Sequence, residues 1–564
     1  MKYSVESQQF NKKEVGMNKR YVIIGGIAGG ISAAERLRRL NGHAVITVFE
    51  KNEHVAFASS SLPYCLGGLV SAKDIADLTS QQETVERHSI DIRCQCEVTA
   101  IDRYAKAVTV HDLSTDRTYR EEYDKLIIAT GTKPVRPDIQ GLDTTGIFTL
   151  KDMRDLSAVS AHIEAVAAKR AAVVGGGNVG LEIAENLSSR GIKTCVVEQT
   201  SHALPNFDAD MAHFARRALE DNSVALITNA AVQEVESTEE GLRLLLSNSK
   251  SIFADIVILC TGVMPEAALV KAAGLGIGVT GGILVDEHMQ TTDKDIYAVG
   301  DAVELESVFG GKVLLSQAPI AIRQGRTAAD NICGIGSRFR QVLAVSMIKI
   351  FDTHMASAGL AETEIADKDI RYEKIYVSGT SRESYFPGAK RLYLKLMFEK
   401  KTGRLLGAQM VGEEGVDKRI DVLAAAIHCG LSADKLSDLE LAYAPAFGSV
   451  RDVVSLAGYI AADVLGGFSD LVHWHELRTL KNALLLDVRT SKERDSGTIA
   501  GSVHIPLDEL KSRMGELPAN KPIVVFSRNG KRSYTAERML KNAGLKAKNL
   551  SGGYALFEIF NRMV

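Results

Sequence analysis

The chain has 564 residues, 45% hydrophobic and 24% charged, with 67 Lys and Arg against 70 Asp and Glu for a formal net charge of -3. At about 100 to 200 residues per domain this length calls for about three to five domains, and the near-neutral balance excludes the basic fields of nucleic-acid binders. The polar opening MKYSVESQQFNKKEVGM lacks the apolar centre of a signal peptide and no later run approaches the ~20 apolar residues of a membrane span, so the sequence predicts a cytoplasmic protein without a membrane partner, residues 1–17 being a disordered extension.

The first informative element is YVIIGGIAGGISAAERLRRL (21–40), a short apolar run that meets a Gly cluster and then a helical pattern; AVITVFE follows and ends in Glu50, 20 residues after Gly30. Strand, turn, helix, strand with a terminal acid is the geometry in which helix-N-terminal amides hold a pyrophosphate and the acid accepts ribose hydroxyls. Ile27 replaces the middle Gly of G-x-G-x-x-G, leaving Gly25, Ala28 and Gly30 to shape the turn. A second copy, RAAVVGGGNVGLEIAENLSSRGIKTCVVEQ (170–199), has the full Gly175, Gly177, Gly180 spacing and closes on Glu198. Glu198 would repel a 2′-phosphate, and Gln199, Thr200 and Ser201 supply no cation, so NADH is expected over NADPH.

Between and after these copies, KLIIATGTKP (125–134) and DIVILCTGVMP (255–265) each end an apolar strand in Thr-Gly, and IYAVGDAVE (296–304) places Asp301 after a strand. The ordered set resembles the two-dinucleotide flavoprotein disulfide reductases. That resemblance implies FAD on the first fold, contacted around Gly25, Ala28, Gly30, Glu50, Ser59, Thr130 and Gly131, with Asp301 on the ribityl chain. It implies the nicotinamide nucleotide on the second, around Gly175, Gly177, Gly180 and Glu198.

Beyond residue 335, AETEIADKDIRYEKIYV, the strand pair RLYLKLMFEKKTGRLLGAQMVG and the helix VDKRIDVLAAAIHCGL predict a small antiparallel sheet flanked by helices, which resembles the family's dimerisation domain and implies a homodimer. SYFPGA (384–389), GVDKRIDVLA (415–424) and LAYAPAFGSVRD (441–452) narrow the resemblance to the coenzyme A-disulfide reductase and NADH-dependent persulfide reductase branch. In that branch Ser-Phe-Ala-Asn-Cys precedes Leu-Pro-Tyr; here the matching positions are Ala56, Phe57, Ala58, Ser59 and Ser60, so Ser60 stands in the redox thiol's place. Cys65 lies five residues further on, which in a helix is a rotation of ~140° and a rise of ~7 Å, so it should face away from whatever Ser60 faces. The family's aromatic gate over the nicotinamide site is Asn178, and Phe386 and Phe447 stand where hydroxyls are usual, although Tyr385 and Tyr443 are near. Arg36, Arg38 and Arg39 resemble the cations that hold coenzyme A phosphates, and a solvated helix face explains them equally well.

The last 95 or so residues, with NALLLDVRTSKERDSGTIAGSVHIPLDEL, SRNGKRS and LSGGY, resemble a single rhodanese domain. SRNGKRS is the sulfur loop C-x-x-G-x-R-S with Ser527 at the Cys, Gly530 at its turn, and Arg528, Lys531 and Arg532 around it. Successive amides in such a loop lower a thiol's pKa and cradle an anion. The other cysteines, Cys94, Cys96, Cys195, Cys260, Cys333 and Cys429, have no metal-ligand spacing, and Cys94 and Cys96 are expected on one face of an alternating strand.

The expected architecture is α/β: an FAD domain (18–140 and 266–335), an NAD domain (141–265), an α+β dimerisation domain (336–465) and a rhodanese domain (466–564). The expected activity is FAD-dependent NAD(P)H oxidoreduction of the coenzyme A-disulfide or persulfide type, acting on small thiol, disulfide or persulfide ligands. Ser60 and Ser527 replace both required thiols, either by exchange of two cysteines or by divergence of the lineage. The alternatives are an NADH oxidase-like flavoprotein and a non-catalytic coenzyme A or persulfide binder.

Overall fold

The computed structural model describes residues 19–55, 57–76, 89–480 and 482–562, so the expected extension 1–17 and Ala56 lie outside it. The chain groups into two compact units, one running to Asp138 with Phe148–Ala165 and Thr261–Val342, the other made of Ile139–Ile147, Val166–Cys260 and the chain from Leu343.

In the first unit, five parallel strands order as Ile296–Ala298, Lys125–Ile128, Arg20–Ile24, Val45–Phe49, Asp91–Arg93. The central strand is β-branched and buried on both faces, as a strand covered by helices must be. Helix Ala28–Leu40 buries Ala33, Ala34 and Leu37 completely, a full Leu burial stabilising by about 1.5–3 kcal/mol. Its other neighbour is helix Ala318–Ile332, which comes so close that a Cβ on Gly325 would lie 2.3 Å from the Gly29 carbonyl oxygen. A three-stranded antiparallel sheet follows (Cys96–Asp102, Ala107–Asp112, Arg117–Glu122). DIRCQCEV is therefore not one strand: Asp91–Arg93 ends the parallel sheet, Gln95 turns the chain at φ +53°, and Cys96 opens the antiparallel one. Both thiols still pack on the same apolar core.

The second unit begins with a parallel sheet in which Ala225–Ile227, Lys193–Val197, Arg170–Val174 and Ile256–Leu259 lie side by side. A five-stranded antiparallel sheet (Val345–Ile350, Thr353–Gly359, Leu405–Gly412, Arg391–Glu399, Tyr372–Thr380) carries helix Val416–His428, as the alternation of the dimerisation segment predicts. The C-terminal module is a parallel sheet, Leu471–Val472, Ala547–Leu550, Ile523–Phe526, Leu484–Asp487, Val503–His504, with Leu486, Ile505, Leu510, Ile523, Val525 and Leu540 in one core. Two dinucleotide folds, an α+β domain and a terminal α/β module thus occur in the predicted order. Among the described residues no helix is long and apolar enough to cross a membrane.

Candidate functional site

The two nucleotide turns are duplicates at atomic detail. Gly25 (φ +101°) and Gly175 (φ +113°) turn the chain, and each donates its N–H to the last residue of the next strand, Phe49 O and Val197 O, both at 2.8 Å. Gly30 and Gly180 let the helix pass over that turn: a Cβ would fall 1.9 Å from Gly25 O and 2.0 Å from Gly175 O. Each terminal acid is buried and clamped from both sides. Glu50 accepts from Gly26 N–H (2.9 Å) and Asn52 N–H (2.9 Å); Glu198 accepts from Gly176 N–H (2.7 Å), Thr200 N–H (2.8 Å) and the Thr200 hydroxyl (2.9 Å). Ala28 and Asn178 begin helices Ala28–Leu40 and Asn178–Ser189, neither with an acid in its first turn. Both N-termini therefore keep the amide field that suits a pyrophosphate, and nothing surrounds the position a Gly177 Cβ would take. These features fit two bound dinucleotides.

The two Thr-Gly turns brace each other. Thr130 Oγ1 donates to Glu266 O (2.7 Å) and Thr261 Oγ1 to Val135 O (2.6 Å), while Glu266 N–H and Val135 N–H donate to Gly131 O and Gly262 O, both at 2.9 Å. Strands Thr132–Pro134 and Val263–Pro265 pair between them. Asp301 follows Gly300 (φ +86°), whose N–H is held by Gln324 Oε1 at 2.6 Å. Burial raises the Asp301 carboxyl above its usual range, and Lys151, Ser316 and the Gln317 N–H oppose that rise. The Lys151 ammonium is itself fixed on Thr132 Oγ1 at 2.9 Å. Sequence reasoning missed Gln324 and Lys151. Neither left a signal in the sequence: that Gln324 is fully buried on helix Ala318–Ile332, with its Nε2 unpartnered among the described residues, only the fold reveals.

Ser59, Ser60 and Ser61 form one 3₁₀ turn before the short helix Leu62–Leu66, and Ser59 and Ser60 are exposed. The segment is thus not one continuous α-helix, so the ~140° rotation expected between Ser60 and Cys65 does not apply along its whole length. Cys65 lines a cleft of about 510 Å³ with Gly68 to Ala72, Asp74, Leu156, Ser157 and Ser160, and neither Ser59 nor Ser60 lines that cleft. Burial and Asp74 push the Cys65 thiol up, which keeps it protonated and a poor nucleophile. The Asn178 amide donates to Ser346 Oγ at 2.8 Å. Arg36 is ion-paired with Asp330 (2.6 Å), Arg39 with Glu35 (2.6 Å), and Arg38 donates to Ser89 O (2.7 Å). Tyr385 and Phe447 are each 74% exposed and Tyr443 49% exposed; Glu383 ties their two loops together, accepting from Val450 N–H at 2.7 Å and from the Tyr443 hydroxyl at 3.4 Å.

In the C-terminal module Ser527 ends strand Ile523–Phe526 in full burial. Its hydroxyl accepts from Ser533 N–H (3.2 Å) and lies 3.1 Å from Ser533 Oγ, and Gly530 (φ +91°) caps helix Lys531–Asn542. Arg532 is held bidentately by Glu493 at 2.6 and 2.7 Å, which drives the Glu493 carboxyl down to about 2. Arg528 and Lys531 are exposed. Behind the loop Arg489, fully buried, pairs with Asp487 (2.7 Å) and stacks 4.0 Å over Tyr554, and Gly553 (φ +64°) passes where a Cβ would meet Ser527 O at 2.5 Å. The result is a loop of amides and cations whose first residue is an alcohol.

Residues 19–325 match the pyridine nucleotide-disulphide oxidoreductase family, 345–453 its dimerisation domain and 473–559 the rhodanese-like domain. Among solved structures, the reduced CoADR-RHD of Bacillus anthracis is 38% identical with a TM-score of 0.94, over 97% of this chain and 99% of that one. A NAD-dependent persulfide reductase from A. fulgidus is 36% identical with a TM-score of 0.90, over 95% and 99%. A curated relative, the NADH oxidase of Methanocaldococcus jannaschii, is 33% identical over 440 residues, 78% of this chain and 97% of that protein. The chain therefore belongs to the pyridine nucleotide-disulphide oxidoreductase family, as an NAD(P)H-dependent flavoprotein oxidoreductase with FAD, a dimerisation domain and a C-terminal rhodanese-like domain.

Proposed function

We propose that the chain is an NADH-preferring member of the coenzyme A-disulfide and persulfide reductase branch in which electrons leave without passing through a protein thiol. The observation that carries this reading is the contrast between two intact acid-and-glycine clamps and an alcohol at both Ser60 and Ser527. FAD, when bound, supplies the chemistry that accepts a hydride from NADH and releases two electrons to an acceptor. The residues toward FAD are Gly25, Ala28, Gly30, Glu50, Ser59, Thr130, Gly131 and Asp301, with Lys151 and Gln324 fixing the Thr132 and Gly300 turns. Toward the nicotinamide nucleotide stand Gly175, Gly177, Gly180 and Glu198. Glu198, carboxylate clamped and with no cation in the Gln199–Ser201 stretch, disfavours a 2′-phosphate.

Ser60 cannot form a disulfide or a thiolate, and the cleft that Cys65 lines does not include Ser60, so the acceptor reacts directly: oxygen, a quinone or a small disulfide such as that of coenzyme A. The names of the relatives, a NADH oxidase and a persulfide reductase among them, support both ends of this range. Coenzyme A phosphates would draw on Arg36 and Arg39 by breaking their pairs with Asp330 and Glu35. The matched dimerisation domain supports a homodimer, and the seven free thiols support a reducing, cytoplasmic setting. We assign the FAD domain to 18–140 and 266–335, the NAD domain to 141–265, the dimerisation domain to 336–465 and the rhodanese domain to 466–564. The 527–532 loop, with Arg528, Gly530 and Arg532, is read as an anion cradle without sulfur transfer. Steady NADH oxidation in air with peroxide formation tests the enzyme reading. A reduced flavin that persists in air, together with tight coenzyme A binding, would replace it with a binding role.

A further inference from the structure

Strand Tyr372–Thr380 is an edge of the five-stranded antiparallel sheet, and among the described residues it pairs with Arg391–Glu399 alone. The free side of such a strand carries unpaired amides on which another chain can build. Here the C-terminal module covers it. The Tyr376 N–H donates to Ser551 Oγ at 3.1 Å, and His473 Nε2 lies 3.2 Å from Glu373 Oε1. Gly552 (φ +75°) runs so near the strand that a Cβ on it would lie 3.0 Å from the Cβ of Tyr376. The same tyrosine reaches the second nucleotide fold, because its hydroxyl donates to Asp210 in the first turn of helix Ala209–Asp221. Tyr376, itself buried, therefore bonds to both neighbours of its sheet within the second unit.

One ring of the module fills this junction. Phe560, on helix Gly553–Asn561, is fully buried, yet it belongs to neither of the two apolar cores that the module builds around its own sheet. Its centroid lies 5.5 Å from that of Trp474 in the module, 5.7 Å from Tyr376 on the edge strand and 6.2 Å, edge-on, from Phe214 on helix Ala209–Asp221. Phe214 in turn stands 5.1 Å from Tyr393 of the sheet. Aromatic side chains bury large apolar areas and favour such tilted and edge-on contacts, so the burial of Phe560 depends on module, sheet and nucleotide fold staying together. A second point holds the module in place: Glu537 accepts from Ser469 Oγ at 2.6 Å and from Asp470 N–H at 2.7 Å on the chain that enters it. We propose that the C-terminal module has a function separate from any chemistry at Ser527: it is the wedge that clamps helix Ala209–Asp221 of the second nucleotide fold to the edge of the antiparallel sheet, through Phe560 and Ser551. Such a clamp needs no thiol, and it gives a module whose loop carries an alcohol a role in seating the nucleotide fold.

The test is hydrogen exchange of the FAD-loaded full chain in three forms: the parent, Phe560→Ala, and Ser551→Ala combined with His473→Gln, which leaves both apolar cores of the module untouched. In both variants the amides of Ala209–Asp221 and Tyr372–Thr380 should exchange on the order of 10-fold faster or more, while strand Ile523–Phe526 stays as protected as in the parent. Should Phe560→Ala unfold the module, seen as lost protection in Ile523–Phe526, the two clamped segments must lose protection with it. Unchanged exchange of Ala209–Asp221 in Phe560→Ala, whether or not the module stays folded, overturns the proposal. A loss confined to Tyr372–Thr380 in both variants also overturns it, since the module would then be a cover for the sheet edge and no clamp on the nucleotide fold.

Discussion

Replacing Lys395 by Met tests the buried charge cluster that joins the second nucleotide fold to the antiparallel sheet. The Lys395 ammonium is fully buried, 2.8 Å from Asp208 Oδ2 and 2.9 Å from Asp210 Oδ1, and also bonded to Glu362, which Lys374 holds at 2.7 Å. Two ammonium groups thus face three carboxylates, and the Tyr376 hydroxyl donates to Asp210. At an effective dielectric of about 20, each aspartate at such a distance attracts the ammonium by roughly 6 kcal/mol, a gain that desolvation of the ions largely offsets. Removing the cation alone spares none of the carboxylate desolvation, so Lys395→Met should cost about 3–5 kcal/mol at pH 7. The pH dependence has a definite sign. Burial pushes the Glu362 carboxyl up, but Lys395 and Lys374 outweigh it and hold it at about 2. Its stabilisation is therefore present above the ordinary carboxylate value of about 4.3 and is lost as pH falls from there toward 2. Asp208, raised by burial against the pull of Lys395, accepts a proton earlier still once Lys395 is gone. The penalty of the substitution should then shrink as pH falls from 7 to 4. Urea unfolding followed by fluorescence of Trp474, the single tryptophan, reads both values. A loss below about 1 kcal/mol at pH 7, or an equal loss at pH 4, would refute the reasoning.

Three further outcomes are expected. The purified protein should be yellow and NADH should bleach it faster than NADPH; Glu198→Ala removes a charged acceptor worth about 1.5–3 kcal/mol and should cut the NADH preference by about 10- to 150-fold in stopped-flow reduction, so an unchanged ratio counts against the clamp. Titration with NADH should show no long-wavelength thiolate-to-flavin band, and Ser60→Cys should create one; a band in the parent chain would mean that Cys65 or another thiol reaches the ring. Thiosulfate:cyanide sulfur transfer should be absent from the parent and appear in Ser527→Cys, because the loop can lower a ~8.5 thiol to a thiolate at pH 7 but leaves an alcohol protonated; restoring NADH-linked persulfide reduction should need Ser60→Cys as well. Transfer by the parent chain would remove Ser527 from the sulfur position.

The nucleotide turns, both terminal acids, the two Thr-Gly strand ends and the 527–533 loop were legible in the sequence because each is a local device, whereas the bracing of one Thr-Gly turn by the other, across 136 and 126 positions, was not. The duplicate hydrogen bonds of Glu50 and Glu198 follow from that spacing almost without tertiary help. Other features were decided only by the fold. DIRCQCEV reads as one alternating strand, yet the change from the parallel to the antiparallel sheet breaks it at Gln95. Lys395 meets Asp210 across 185 positions and Glu362 across 33, and no periodicity announces that a lysine in a buried strand will find three acids. Gln324 acquires its role from Gly300 and Lys151 from Thr132. Spacing along the chain encodes what one turn of backbone can hold, whereas buried charge clusters exist only where packing brings distant segments within a few ångströms.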